Sequence, residues 1–300
     1  MGMIIGMGEL LWDMLPSGPQ MGGAPANFAC HAKALGAEAM VVSGVGDDPL
    51  GHEILRRLDQ LGVDTRGITL DPAHATGRVD VELGPDGQPS YTIHGDAAWD
   101  HATTSPGLLE LAAGADAMCF GTLGQRGPVS RATIRTLLGR ASADCLRVLD
   151  VNLRQAFFSQ DLIHESLLLA NVVKLNEDEL RMVAPMLGIP GTTLEEQLAG
   201  LLARYGLRLA ACTRGGEGSL IHDGQTCFTQ PGRETRIADT IGAGDSFTSA
   251  LTLGLLKGWP LVQISETANA VAAHVCSCTG AIPPMPDSLT ALFQPTGQPA

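Results

Sequence analysis

Asp239-Thr240-Ile241-Gly242-Ala243-Gly244-Asp245-Ser246-Phe247 decides how this chain is read. Two glycines flank an alanine, a carboxylate follows, and an apolar run from Phe247 to Leu256 follows that. This is the pattern of a tight turn feeding a helix N-terminus. Small residues let the backbone approach a ligand closely, and glycine tolerates the positive φ such turns need. The first N–H groups of the helix point outward and favour an anion such as a phosphate. Asp245 then stands beside an anion site, an electrostatically costly place unless it accepts a proton, for example from an attacking hydroxyl. Read alone, the segment serves equally well as a plain cap, because Asp is a common N-cap residue.

The chain has 300 residues and is 44% apolar, enough for one large α/β core. Aromatics are scarce at 4%, which suits helices packed closely on a sheet. The formal charge of −13, without a Lys/Arg cluster, argues against nucleic acid as a partner. No apolar run reaches the length of a membrane span. Met1 to Gly8 reads directly into a strand, with no signal-peptide pattern. The seven scattered cysteines read as small core residues in a reducing cytoplasm, and Cys276-Ser277-Cys278 is the one close pair.

Strand and helix patterns alternate along the chain. Met3 to Gly8 and Ala39 to Gly44 read as strands, Ala26 to Leu35 and Leu50 to Leu61 as helices. This β–α–β–α start predicts a parallel sheet with crossover helices. From Thr69 to Trp99 the rhythm breaks. Gly77 to Leu83 alternates, Pro85-Asp86-Gly87-Gln88 reads as a hairpin turn, and Tyr91 to His94 answers it. This predicts a small flap outside the main sheet. The alternation resumes at Ala117 and runs to Cys276, with a second hairpin over Leu220–Gln230. The tail from Pro283 to Ala300 reads as irregular. No repeat or linker divides the chain, so residues 1–300 are expected to form one domain, with a lid from about 10–20 and 69–99.

Gly22-Gly23-Ala24-Pro25-Ala26-Asn27 is the second strong signal: bare backbone for close approach, then an amide in the first helical turn. It suits hydroxyl recognition, and equally a plain glycine-rich loop. Asp13 follows the first strand, where open α/β sheets bind ligands. Thr213-Arg214-Gly215-Gly216-Glu217-Gly218 follows another strand and offers amides to a phosphate. Asn176 with Glu179 opens a helix. The pair can cap it or hold water around Mg2+. Asp150-Val151-Asn152-Leu153-Arg154 puts a cation and an amide at a further strand end.

Taken in order, these segments resemble the ribokinase family of sugar kinases, the PfkB carbohydrate kinases. Gly22-Gly23 with Asn27 matches its N-terminal signature and Asp239 to Asp245 its C-terminal one. Asn176-x-x-Glu179 and Thr213-Arg214-Gly215 match its magnesium/phosphate and nucleotide motifs. The wording Gly-Gly-Ala-Pro-Ala-Asn and Asp-Val-Asn-Leu-Arg is most similar to the fructokinase branch.

The resemblance implies a three-layer α/β/α fold, with a mainly parallel central sheet and a small β lid. It implies transfer of the γ-phosphoryl group of ATP to a sugar hydroxyl, with Mg2+ as cofactor. Asp245 would be the base, and the amides of Ile241, Gly242, Ala243 and Gly244 the anion hole. Asp13, Gly22, Gly23 and Asn27 would hold the sugar, with Arg154 on either sugar or phosphate. Asn176, Thr213, Gly215, Gly218 and Asn269 would line the nucleotide site, Glu179 meeting Mg2+ through water. Tyr91, His94 and Trp99 would either cover the sugar or pack the lid. A monovalent cation such as K+ would be held at Asp239, Ile241, Val275, Cys278 and Gly280, although Pro284 stands where some members present a hydroxyl. Partners would be ATP, a small sugar and a second copy of the chain through the lid. Fructose is the first acceptor implied. 2-Keto-3-deoxygluconate, ribose and a nucleoside are the alternatives, and a non-catalytic sugar-binding regulator is the reading from another class.

Overall fold

The computed structural model describes residues 2–15, 18–83 and 89–294, except for the side chains of 81–83 and 89–91. Strands are β1 (Met3–Met7), β2 (Leu11–Leu15), β3 (Gly18–Gly22), β4 (Glu38–Gly46), β5 (Ile68–Asp71), β6 (Gly77–Leu83) and β7 (Pro89–Ile93). They continue with β8 (Ala117–Phe120), β9 (Leu146–Asp150), β10 (Val172–Asn176), β11 (Leu209–Thr213), β12 (Ser219–His222) and β13 (Cys227–Gln230). The longer helices are α1 (Ala24–Ala34), α2 (Pro49–Gln60), α3 (Pro106–Ala113), α4 (Pro128–Leu138), α5 (Gln160–Leu169), α6 (Glu177–Met186), α7 (Leu194–Tyr205), α8 (Ala243–Leu256) and α9 (Leu261–Cys276).

Nine strands form the large sheet in the order β13-β12-β11-β10-β9-β8-β1-β4-β5. It is parallel from β5 to β11, and β12 and β13 close one edge antiparallel. Neighbouring residues of one strand enter opposite cores, as the period of two requires. Ile4 and Val172 pack with α1, α2, α8 and α9 on one face. Ile5 and Val173 pack with α3 to α7 on the other. The expected α/β/α sandwich is the observed one.

Four further strands form a smaller sheet in the order β3-β2-β6-β7. Its β2–β6 pair is parallel, with Asp13 opposite Val79, and the other two pairs are antiparallel. The expected lid boundaries shift accordingly. Ile68–Asp71 is not part of the small sheet, because it pairs with Ser43–Gly46 at the edge of the large one. Asp13, expected in a loop, lies on β2. The expected turn at 85–88 lies outside the described residues, but the antiparallel pairing of Val79 with Ile93 on either side of it holds.

Two further differences concern short helices. α3 was not expected; Ser105 caps it by accepting from Leu108 N, and Pro106 fits the first turn. The tail expected to be irregular forms a helical turn at Asp287–Thr290, and Phe293 is buried against Trp259 with ring centroids 5.1 Å apart. Residues 295–300 are outside the description. Among the described residues no helix is long and apolar enough to cross a membrane. Cys30 and Cys212 are buried, and burial pushes both thiols up to about 12, so they behave as small apolar residues.

The β6–β7 half of the small sheet joins the body through two arms, residues 72–76 going out and 94–105 returning, while β2 and β3 follow directly from β1 and lead into α1. Ala98 N donates to Ala75 O at 2.9 Å, tying one arm to the other. Arg126 holds the returning arm to the body. Its Nε and Nη2 reach Asp100 at 2.9 and 2.8 Å, Nη2 also donates to His94 O at 2.6 Å, and its guanidinium lies 3.9 Å over Trp99. Trp99 is thus part of the arm's own packing. Both ionic side chains are almost fully buried, at 8% and 7% exposure. A buried charge that loses its partner typically costs about 3–5 kcal/mol. Arg126→Met is therefore expected to lower unfolding free energy by about 3 kcal/mol. Arg126→Met combined with Asp100→Asn should recover part of that loss in urea denaturation. A double variant no more stable than the single one would contradict the pairing.

Candidate active site

The C-terminal ends of β1, β9 and β10 meet the N-termini of α1 and α8. α8 begins from Gly242, whose φ of 78° is left-handed. A Cβ there would stand 2.3 Å from Ala281 O, so both the turn and the approach require glycine. Of the four amides expected to form an anion hole, Ile241 N donates to Asp239 at 3.0 Å and Ala243 N to Thr240 O at 3.4 Å, whereas Gly244, in the first turn, has no acceptor within the helix.

Beneath this turn lies a charge that the sequence reading did not single out. Lys174, on β10, is 7% exposed at its side chain, and its Nζ pairs with Asp150 at 3.1 and 3.3 Å. Thr248 of α8 donates to the same carboxylate at 2.8 Å. A Cβ on Gly244 would lie 3.0 Å from Lys174 Nζ, so the ammonium sits directly under the Gly244 backbone. Burial opposes its charge, but Asp150, Glu179 and Asp245 outweigh burial and raise its pKa. The turn therefore combines helix amides with a fixed cation. The signal in the sequence was a lysine inside the otherwise apolar Val172-Val173-Lys174-Leu175, where a fully buried parallel strand carries a charge only with a partner.

Asp245 accepts a hydrogen bond from Asn27 Nδ2 at 2.8 Å, joining α8 to α1. Removal from water pushes its carboxyl up to about 6. Asp150 adds to this, while Asn27, Lys174 and Arg154 oppose it. Such a carboxylate, ionised near neutrality yet close to its pKa, suits general-base chemistry. On α1, Gly23 has φ 114°, and a Cβ there would fall 2.3 Å from Glu9 O. A Cβ on Gly22 would fall 2.4 Å from Asp13 Oδ2, so the diglycine admits the Asp13 carboxylate on one side and the Glu9 backbone on the other.

Arg154 stands exposed on the loop after β9, between Asn152 (φ 45°) and Gln155 (φ 47°). Its charge acts on Asp245, Asp13 and Glu9 alike. Burial drives Asp13 up to about 6 against that influence.

Asn176 and Glu179 form a reciprocal capping box on α6, which also explains them without a ligand. Glu179 Oε2 accepts from Asn176 N at 2.8 Å and Oε1 from Leu153 N at 2.9 Å. With one backbone donor on each oxygen, the carboxylate suits a water-mediated role toward Mg2+ better than direct ligation. Thr213 is the register partner of Asn176. The turn after it is compact, with positive φ at Gly215 and Gly218 and Arg214 N bonded to Gly218 O at 2.8 Å. Asn269 lies between α9 and β12, away from the Asp245 cluster. It donates to Ser219 Oγ at 2.7 Å and Ser265 O at 2.8 Å, so its amide hydrogens are satisfied internally.

Of the residues expected around a monovalent cation, Asp239, Ile241 and Gly280 are joined by hydrogen bonds, and Val275 and Cys278 are joined separately at the end of α9. Asp239 accepts from Ile241 N at 3.0 Å and from Gly280 N at 3.1 Å. Val275 O accepts from Cys278 N at 3.1 Å. Of the expected sugar-covering side chains, His94 is engaged with Asp80 at 2.7 Å, and Tyr91 lies among the residues whose side chains are not described.

Glu9 is the second residue missed in the sequence. It is 3% exposed and accepts from Ala24 N at 3.2 Å, while Oε2 is buried without a partner. Burial lifts its carboxyl from 4.5 to about 7. Between those values the native chain keeps a proton that the unfolded chain has lost, so stability falls as pH rises from about 4.5 to about 7, then levels. Glu9→Gln should match wild type near pH 4.5. It should exceed wild type by on the order of 3 kcal/mol at pH 8, read from urea midpoints. A gap independent of pH would refute the buried-acid assignment.

Comparison with known proteins agrees with this geometry. The pfkB family carbohydrate kinase pattern matches residues 19–288. An uncharacterized sugar kinase of Pyrococcus horikoshii is 32% identical over 291 residues, 91% of this chain and 89% of that one. Its structure in complex with ATP superposes with a TM-score of 0.78 at 29% identity, covering 93% of this chain and 94% of that one. Fructokinase-1 of Zea mays is 28% identical over 310 residues, 95% of this chain and 94% of the relative. The fructokinase of Xylella fastidiosa, with bound ATP, shares the fold at a TM-score of 0.84 and 22% identity, with 97% of each chain covered. The chain belongs to the pfkB family of carbohydrate kinases.

Proposed function

We propose that this kinase transfers the γ-phosphoryl group of ATP to a hydroxyl of a small monosaccharide, with fructose as the first candidate. One observation carries the reading. Asp245 is fixed by Asn27 at the mouth of the α8 turn, with Lys174 beneath that turn and Arg154 beside it. The acceptor hydroxyl lies against Asp245, held by Asp13, Asn27 and the bare Gly22–Gly23 backbone. Its oxygen attacks the γ-phosphorus, its proton passes to Asp245, and ADP leaves with the electrons of the broken bond. The first-turn amides of α8, Lys174 and Arg154 meet the charge on the transferring group. Mg2+ on the phosphates would neutralise charge there, with Asn176 and Glu179 holding its waters. Thr213, Gly215 and Gly218 would line the nucleotide, and Asn269 of α9, buried and bonded to Ser219, would back that set. Asp239, Ile241, Val275, Cys278 and Gly280 form the proposed K+ loop. The small sheet acts as the lid, and its edge strands β3 and β7 are the surfaces through which two copies would pair in the cytoplasm.

Fructose rests on the Gly22–Asn27 wording and on the relatives named fructokinase. A turnover panel of fructose, ribose, 2-keto-3-deoxygluconate, a nucleoside and fructose 6-phosphate ranks the acceptors. Asp245→Asn should lower kcat by about 10²–10⁴ while sugar affinity is largely kept. In wild type, kcat/KM should fall about tenfold per pH unit below about 6, as Asp245 takes up its proton. Equal turnover by Asp245→Asn would remove the base assignment. A wild type inactive on every acceptor would favour a sugar-binding regulator.

A further inference from the structure

The two arms that carry the small sheet bring together a second group of ligating side chains. His74 lies on the outgoing arm, and Asp96 and His101 lie on the returning one. One nitrogen from each histidine and one carboxylate oxygen of Asp96 lie within 4.8 Å of one another. His101 Nε2 is 2.8 Å from Asp96 Oδ1, and His74 Nε2 is 3.9 Å from the same oxygen. The two imidazoles are stacked, with centroids 3.5 Å apart and planes 7° from parallel. We propose that His74, His101 and Asp96 form a binding site for a borderline divalent cation of the Zn2+ or Co2+ type, which clips the outgoing arm to the returning one.

The donor set selects the metal. Two imidazoles with one carboxylate suit Zn2+, Co2+ or Ni2+, whereas Mg2+ and Ca2+ prefer oxygen alone. An open fourth position would be taken by water.

A second observation shows His74 already oriented for the task. Its Nδ1 lies 2.8 Å from Asp71 Oδ2, and Asp71 Oδ1 is itself held by Ala73 N at 2.7 Å and His74 N at 3.2 Å. Asp71 thus fixes the tautomer with the proton on Nδ1 and turns Nε2 toward Asp96. This is the carboxylate–histidine arrangement found behind metal ligands. Asp96 is held at φ 52°, a left-handed conformation uncommon for a residue other than glycine, and its carboxylate reaches back to both rings. The backbones on both sides are anchored. Thr76 is bonded to Asp48 through N at 2.9 Å and Oγ1 at 2.7 Å, and Asp100 is bonded to Arg126. Metal–ligand bonds of about 2.0–2.1 Å require the stacked rings to rotate out of parallel, so that both nitrogen lone pairs point at one ion. The side chains have room to move, with His74 27%, His101 31% and Asp96 79% exposed.

The site is separate from the phosphate-facing cluster, so its test does not depend on catalysis. Zn2+ is titrated into the full-length chain at pH 7.5 by calorimetry. Co2+ is followed by its visible spectrum. One equivalent is expected, with tetrahedral Co2+ bands and no thiolate charge-transfer band. His74→Gln with His101→Gln should abolish that equivalent. Asp71→Asn, which leaves all three ligands in place, should weaken it by about tenfold. Zn2+ should also slow hydrogen exchange at residues 72–76 and 94–101 in wild type only. Circular dichroism of the metal-free variants checks that they fold, and Asp96→Asn provides a further ligand variant at a highly exposed position. No binding by wild type up to about 1 mM Zn2+ (about −4 kcal/mol), or unchanged binding in the double histidine variant, would overturn the proposal. A thiolate band would place the metal on a cysteine instead and overturn it equally.

Discussion

The buried Lys174–Asp150 pair is the constraint on which the rest of the site depends. Both groups sit at the C-terminal ends of adjacent parallel strands, nearly sealed from water. An ion pair in that position gains little net stability, because desolvation offsets the attraction. What it supplies is position. Asp150 takes a second donor from Thr248, one turn into α8, and Thr248 also bonds Gly244 O at 2.9 Å. The α8 N-terminus is thereby pinned to the sheet at the point where its dipole is most positive. Lys174 adds a full charge below it. An arriving phosphate meets an electrostatic surface already paid for by folding.

That surface is bordered by acids. Glu9, Asp13 and Asp245 are all pushed above their ordinary values by burial, and Arg154 is the cation that opposes the shift in all three. Arg154 is also exposed, on a loop with two left-handed residues. The protonation of the acids is therefore coupled to a side chain that a ligand can engage. If a phosphate draws Arg154 away, the remaining acids take up protons more readily. If Arg154 stays, Asp245 keeps more of its charge. Asp245 and Arg154 are thus electrostatically coupled, and Arg154 is the member of that pair open to solvent.

Much of this was legible in the sequence, for definable reasons. Strand and helix periodicity exposed the sandwich, and the ends of α5, α7 and α9 fall where the patterns stop. Gly242, Gly244, Asp245 and Asn27 were visible because unusual backbone needs unusual residues. Lys174 and Glu9 were missed because their meaning lies in their partners. The apolar run around Lys174 signals that a partner exists, but only the β9–β10 pairing shows that the partner is Asp150. The register of β5 was missed for a similar reason: Ile68–Asp71 alternates no differently from a lid strand, and only its pairing with β4 assigns it. Asn176 and Glu179 illustrate the opposite difficulty, since the same two side chains satisfy a capping box and a family motif.

The low aromatic content and the abundant glycine are a statement about distance. A Cβ on Gly6, in the middle of β1, would lie 2.0 Å from Pro25 O, so α1 rests directly on the strand backbone. The same approach repeats where Gly23 meets Glu9 O and Gly242 meets Ala281 O, each at 2.3 Å. The first two contacts set how closely α1 and its entry lie on β1 and the segment after it, and the third how closely the α8 turn approaches the loop after α9. Asn27 of α1 and Asp245 of α8 meet at 2.8 Å between them. A methyl group at any of the three would have to lift a helix or bend a strand. Either change lengthens a hydrogen bond whose geometry the chemistry uses. The spacing of the reacting groups is thus set by side chains that are missing, and it would be lost by adding atoms nowhere near the sugar.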